Sequence, residues 1–174
     1  MSKTLKVKLA ENAGFCFGVR RAIETAENML ADDDTKIFTV GELIHNRPFL
    51  ERLEGRGVSI CDEANAVSLS KEYPNARFLI RTHGLPKNIS DTLQREGVRL
   101  VDATCPFVKK IHRIVAEYSS PETDTIIIGD KHHPEVEGIE SYANGRVAIC
   151  SDEDELQNFL ENHADFGKNG IVLV

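Results

Sequence analysis

Apolar residues along this chain fall into short β-branched runs separated by longer stretches with the three-to-four-residue spacing of a helix. The runs at 5–9, 37–40, 78–80, 98–101, 125–128 and 147–150 read as strands, and the segment VSIC closes another at Cys61. Helical spacing occupies 19–30, 49–53, 89–96, 106–118, 136–142 and 153–160. Such alternation predicts an α/β protein built on parallel sheets. Turn residues fall between the elements, at Glu54-Gly55-Arg56-Gly57, at Asn144-Gly145 and at the Ala-Asp-Asp-Asp stretch 31–34. The final residues, GIVLV at 170–174, read as a buried strand, after which the rhythm predicts further chain.

One unit occurs twice. KVKLAENAGFC leads into FGVRRAIETAENML, and VRLVDATC leads into PFVKKIHRIVAEY, so a strand, a cysteine and a helix recur with the cysteines at Cys16 and Cys105. Two similar α/β lobes are expected, 1–104 carrying Cys16 and 105–174 carrying Cys105, the second truncated.

Composition narrows the class without naming a function. With 41% hydrophobic and 28% charged residues, the chain has the make-up of an ordinary globular protein rather than a disordered or fibrous one. A formal net charge of −7 argues against general affinity for nucleic-acid backbone or anionic membrane, which need clustered cations. The start of the chain lacks the apolar stretch of a signal peptide and no run is long enough to span a bilayer, so a cytoplasmic protein is expected. The four cysteines lie far apart with no CxxC pair, which favours reduced thiols or metal ligands over a disulfide framework.

In a parallel sheet, ligands collect beyond the carboxyl ends of the strands. Five polar segments follow apolar runs: AGFC at Cys16, GELIHN at His45, RTHGLP at His83, DATCP at Cys105, and KHHPEVEG with His132, His133 and Glu135. A cysteine at a helix start meets free N–H groups and the positive end of the helix dipole, which suits a metal-bound thiolate or an anionic cluster. Pro106 fits the first helical turn after Cys105. Cys61 and Cys150, inside strand-like runs, read as small buried hydrophobes. Imidazoles at three equivalent strand ends could grip a phosphate. His112 reads as a packing residue, His163 as solvated, and Arg20 and Arg21 as members of an amphipathic helix surface, although they could face an anion. No phosphate-loop or dinucleotide fingerprint is present, the spacing from Cys16 to the arginines is too short for a cysteine phosphatase, and zinc remains a minor alternative.

The segments GFCFGVRRAI, IHNR, THG, DATCP and HPEVEG, taken in this order, resemble the 4-hydroxy-3-methylbut-2-enyl diphosphate reductase family. That resemblance implies pseudo-repeated lobes around a central [4Fe–4S] cluster, two of the expected three being present in this chain. It implies Cys16 and Cys105 as two cluster ligands and His45, His83 and His133 as holders of the diphosphate. It further implies Glu135 as the acid of the proton relay; acidity alone would not separate it from Glu137. The implied reaction removes the allylic hydroxyl with two electrons to give isopentenyl or dimethylallyl diphosphate, with reduced ferredoxin or flavodoxin as donor. The third cysteine would come from a third lobe beyond Val174, needed to complete the site.

Overall fold

A computed structural model describes residues 5–31 and 35–174; the Asp32–Asp34 part of the turn expected at 31–34 lies outside the described residues. The chain forms two parallel sheets. The first holds β1 (Ile37–Val40), β2 (Val58–Cys61), β3 (Arg77–Ile80) and β4 (Leu100–Asp102) in the order β2-β1-β3-β4. Its helices are α1 (Phe17–Ala31), α2 (Arg47–Glu54), α3 (Glu63–Glu72) and α4 (Lys87–Arg95).

Both faces of this sheet are covered, which is why β1 is buried at every residue and reads as an unbroken apolar run. Ile37 and Leu79 point to one side, packing with Ala22, Ala26 and Met29 of α1 and Phe49, Leu50 and Leu53 of α2. Phe38, Val40, Phe78 and Ile80 point to the other, against Ala66 of α3 and Leu93 of α4. Phe38 and Phe78 stack at 5.1 Å, and Phe78, fully buried, contributes about 1.5–3 kcal/mol by leaving water. Helix α3 was not evident from spacing. Its segment EANAVSLSKE buries Ala66 alone, so tertiary packing rather than an apolar stripe decides it.

The second sheet has the order β6-β5-β7, from β5 (Asp124–Ile128), β6 (Val147–Cys150) and β7 (Ile171–Leu173), all parallel. Helices α5 (Pro106–Tyr118) and α6 (Pro134–Glu140) bring Val115, Val136 and Ile139 against Ile127 and Val172. Helix α7 (Glu153–Asn162) lies with Phe166 against Ile126 and Ala148.

The sheets repeat one plan, with β5, β6 and β7 in the places of β1, β2 and β3. Correspondence reaches single bonds: Gly41 donates its N–H to the Cys61 carbonyl and Gly129 to that of Cys150, both at 2.9 Å. Cys61 and Cys150 are therefore the same position in two repeats.

Two strand expectations change. Residues 5–9 pair with no strand among the described residues, and Leu5, Val7 and Leu9 are 88, 92 and 84% exposed, because an apolar alternation makes a strand only where a sheet edge receives it. The terminal strand β7 is half-covered rather than buried: Val172 packs inward while Ile171 and Leu173 stay exposed. No described helix is long and apolar enough to cross a membrane.

Candidate functional site

Because the strands of each sheet are parallel, the loops after β1, β3 and β5 occupy equivalent carboxyl ends, and these loops carry His45, His83 and His133. The structure brings the three rings together. Centroid separations are 4.9 Å for His45–His83, 5.2 Å for His83–His133 and 6.3 Å for His45–His133, with one ring nitrogen from each lying within 4.8 Å of the others.

Thr82 ties the loops. Its N–H and its hydroxyl both donate to the Leu43 carbonyl, at 3.2 and 3.1 Å, fixing the His45 loop to the His83 loop. Its own carbonyl accepts the N–H of Cys105 at 2.9 Å. Thr82 is 5% exposed, so these bonds replace water that could not reach the groups.

His133 caps α6, and its Nδ1 accepts the Glu135 N–H at 3.2 Å. With Nδ1 engaged as an acceptor, the proton of the neutral ring sits on Nε2, which is left to donate. His83 is pushed down to about 4, first by burial, then by its neighbours His45 and His133, and by Arg81. The cluster thus disfavours positive charge on His83 in the absence of an anion.

Glu135 is half-buried in the first turn of α6, beside His133, whereas Glu137 is exposed and lines a groove with Lys131, His132 and Glu140. His132 is exposed, its N–H donating to Asp130.

The cysteines occupy matching places. Cys16 precedes α1 and its carbonyl accepts from Arg20 N–H; Cys105 precedes α5 and its carbonyl accepts from Lys109 N–H, both at 3.0 Å. Cys16 is exposed, Cys105 half-exposed, and both are free thiols. The start of α1 lies directly on Cys105, since a Cβ built on Gly18 would sit 2.6 Å from Cys105 Sγ. Arg21 fastens the same junction, donating to the carbonyls of Thr104 at 3.1 Å and Asp102 at 3.3 Å. Its role is therefore more specific than the surface position expected of it. Cys61 and Cys150 are buried, with the Cys61 thiol pushed up to about 11 by burial and then by Asp62; Cys150 is raised by burial, Glu155 and Asp152.

One residue near the site was not singled out by its sequence, and another packs as expected. Arg81, half-buried, pairs with Glu63 at 2.9 Å and bears on His83; nothing in its strand-end position marked it out. His112, read as packing, is 5% exposed and stacks on Tyr142 at 4.3 Å. His163 is exposed, stacked on Phe159.

Repeated parallel α/β lobes that set cysteines at the starts of equivalent helices, and close three imidazoles over the strand ends, define a protein whose site is assembled between repeats. The chain belongs to the LytB protein family, whose model matches residues 7–174. It is 41% identical over 155 residues to the 4-hydroxy-3-methylbut-2-enyl diphosphate reductase of Caldanaerobacter subterraneus subsp. tengcongensis, covering 88% of this chain and 53% of that protein. The Campylobacter hominis reductase is 44% identical with the same coverage. Among solved structures, an (E)-4-hydroxy-3-methyl-but-2-enyl diphosphate reductase, described as the terminal enzyme of the non-mevalonate pathway, superposes with a TM-score of 0.72 at 32% identity. That match spans 95% of this chain and 56% of the other. The Plasmodium falciparum reductase gives 0.77 at 27% identity, spanning 94% and 49%. The chain spans about half the length of these relatives.

Proposed function

We propose that this chain forms the first part of a 4-hydroxy-3-methylbut-2-enyl diphosphate reductase, with lobes meeting at 104/105. The observation that carries the reading is the closure of His45, His83 and His133 at the strand ends, bonded through Thr82 to Cys105. Cys16 and Cys105 fit two ligands of a [4Fe–4S] cluster: both are accessible free thiols at helix starts, and Cys105 lies against the first turn that follows Cys16. Cys61 and Cys150 do not fit, being buried with thiols held protonated. A third ligand would come from the part of the relatives' length that this chain does not span.

Bound there, the cluster supplies Lewis acidity toward an allylic oxygen and a route for electrons. The chain's own residues do the rest. The imidazoles donate N–H to the diphosphate, His133 through Nε2, and an anion between them offsets the burial, and the lesser repulsion from His45, His133 and Arg81, that hold His83 down. Glu135, partly shielded beside His133, holds the proton taken by the departing hydroxyl. The balance is an allylic alcohol plus two electrons and two protons giving isopentenyl or dimethylallyl diphosphate and water. Reduced ferredoxin or flavodoxin is the donor on this reading, and accessible free thiols support the reducing cytoplasm as its location.

The test is anaerobic iron and sulfide reconstitution of the protein comprising this chain and the remaining length of its relatives, followed by turnover of the allylic diphosphate under reduction. A brown cluster lost in the Cys16→Ser, Cys105→Ser double variant, with turnover lost in Glu135→Gln, supports the reading. A cluster that survives the double substitution sinks it. The same imidazole closure favours a second reading, a divalent metal on three histidines; tight one-to-one zinc binding without affinity for pyrophosphate would select it.

A further inference from the structure

We infer that His112 is a positioning residue that sets the spacing between His83 and the helix bearing His133 and Glu135. His112 belongs to α5, the helix that opens after Cys105, yet its ring reaches the other two elements of the site. On one side lies Gly84, next to His83, with φ +77°; a Cβ there would stand 3.0 Å from His112 Cε1. On the other lies Gly138 of α6, where a Cβ would stand 3.5 Å from His112 Nε2 and 3.8 Å from the His83 carbonyl oxygen. Two glycines on separate elements thus admit one ring between them. Tyr142, just beyond α6, stacks on it at 4.3 Å with planes 15° apart.

A plain core position would take an aliphatic residue here. His112 Nε2 is buried with no hydrogen-bond partner among the described residues, a cost that leucine would not carry. What leucine lacks is flatness. A planar ring stacks on Tyr142 and leaves the His83 turn and α6 close together, whereas branched methyls would part them. The imidazole therefore acts through its shape on the separation of His83 and His133, now 5.2 Å between centroids.

The inference rests on the diphosphate reading for its functional meaning, and the test separates the two. His112→Leu keeps the core filled, and His112→Gln keeps a flat group of similar reach. Three measurements are made on the parent and on each variant, in the protein comprising this chain and the remaining length of its relatives: thermal melting, the ring-proton NMR signals of His45, His83 and His133, and pyrophosphate affinity by calorimetry. In His112→Leu the His83 and His133 signals shift and affinity falls by about tenfold or more, the scale expected when a binding group is misplaced, while the chain remains folded. His112→Gln returns both signals and affinity to within about threefold of the parent. Wild-type signals and affinity in His112→Leu overturn the inference, as does a His112→Gln chain impaired to the same degree. A parent protein of that full length that fails to bind pyrophosphate counts against the diphosphate reading, and the ring signals of the two variants then decide the positioning role by themselves.

Discussion

Substituting Gly18 by alanine should leave the fold standing and displace a thiol. Gly18 is the second residue of α1, where alanine favours helix over glycine by about 1 kcal/mol. The added Cβ would lie 2.6 Å from Cys105 Sγ and 3.0 Å from Cys105 Cβ, where comfortable carbon contacts begin near ~3.5 Å. Moving backbone apart by that ~1 Å is overpacking, at about 1–3 kcal/mol. The net loss is then about 0–2 kcal/mol, a melting shift of at most several degrees at about 2–4 °C per kcal/mol. A cheaper escape is available for the closest contact, because Sγ is a side-chain tip: rotating Cys105 to another staggered position carries Sγ about 3 Å away and leaves the 3.0 Å approach to Cβ to be eased by a small backbone shift. Either route takes the thiol off its place beside the Cys16 turn. Expected outcomes are near-parental melting by circular dichroism, altered reactivity of Cys105 toward a thiol reagent, and loss of iron and sulfide retention in the reconstituted longer protein. Parental Cys105 reactivity and iron content, together with a melting temperature raised by the helix-propensity gain, would show that room for the methyl exists and refute the reasoning.

Other perturbations test other joints. Thr82→Val removes the hydroxyl bond to Leu43 but keeps the backbone bond, so urea unfolding should show a loss of about 0.5–1.5 kcal/mol; an unchanged midpoint would mean the loops are held otherwise. Anion binding should raise His83 from about 4, so affinity must strengthen as pH falls from 8 toward 4, with proton uptake. Calorimetry with sulfate, whose charge is constant there, checks this, and a pH-independent affinity contradicts it. Asp124, 4% exposed, is held below the usual carboxylate range by Arg146, whose Nε and Nη2 donate to it at 2.8 Å, and by the Gly167 N–H. Its contribution is full above the ordinary value of about 4 and lost as pH falls through the lower folded one, so Asp124→Asn flattens that part of the acid-unfolding curve. Arg146 is half-exposed, so the loss at neutral pH is about 1 kcal/mol. Replacing Cys61 or Cys150 by serine should lower stability but not iron content; a drop in iron would return them to the list of ligands.

Much of the architecture was legible along the chain. Local chemistry decides where a strand run stops, where a proline or glycine turns the backbone, and which cysteine begins a helix; the alternation, the cysteine–helix step repeated at Cys16 and Cys105, though without the strand expected before Cys16, and the polar strand ends follow from neighbours in sequence. Helix α3 was not legible, because its ten residues bury a single alanine. Residues 5–9 show the converse: a clean apolar alternation that forms no strand here, since pairing depends on an edge elsewhere.

The site divides in the same way. Sequence alone supplied the three histidines as strand-end residues and left Glu135 level with Glu137. The tertiary structure decided that the imidazoles meet and that Glu135 sits half-buried by His133 while Glu137 faces outward. It also gave work to Arg21, Arg81 and His112. Arg21 acts across 83 positions of chain in its bond to Thr104, while Arg81 and His112 meet partners on other elements, at Glu63 and at Gly84, Gly138 and Tyr142. Periodicity encodes which face of an element is buried; which distant element covers that face is set by packing, and no local pattern carries it.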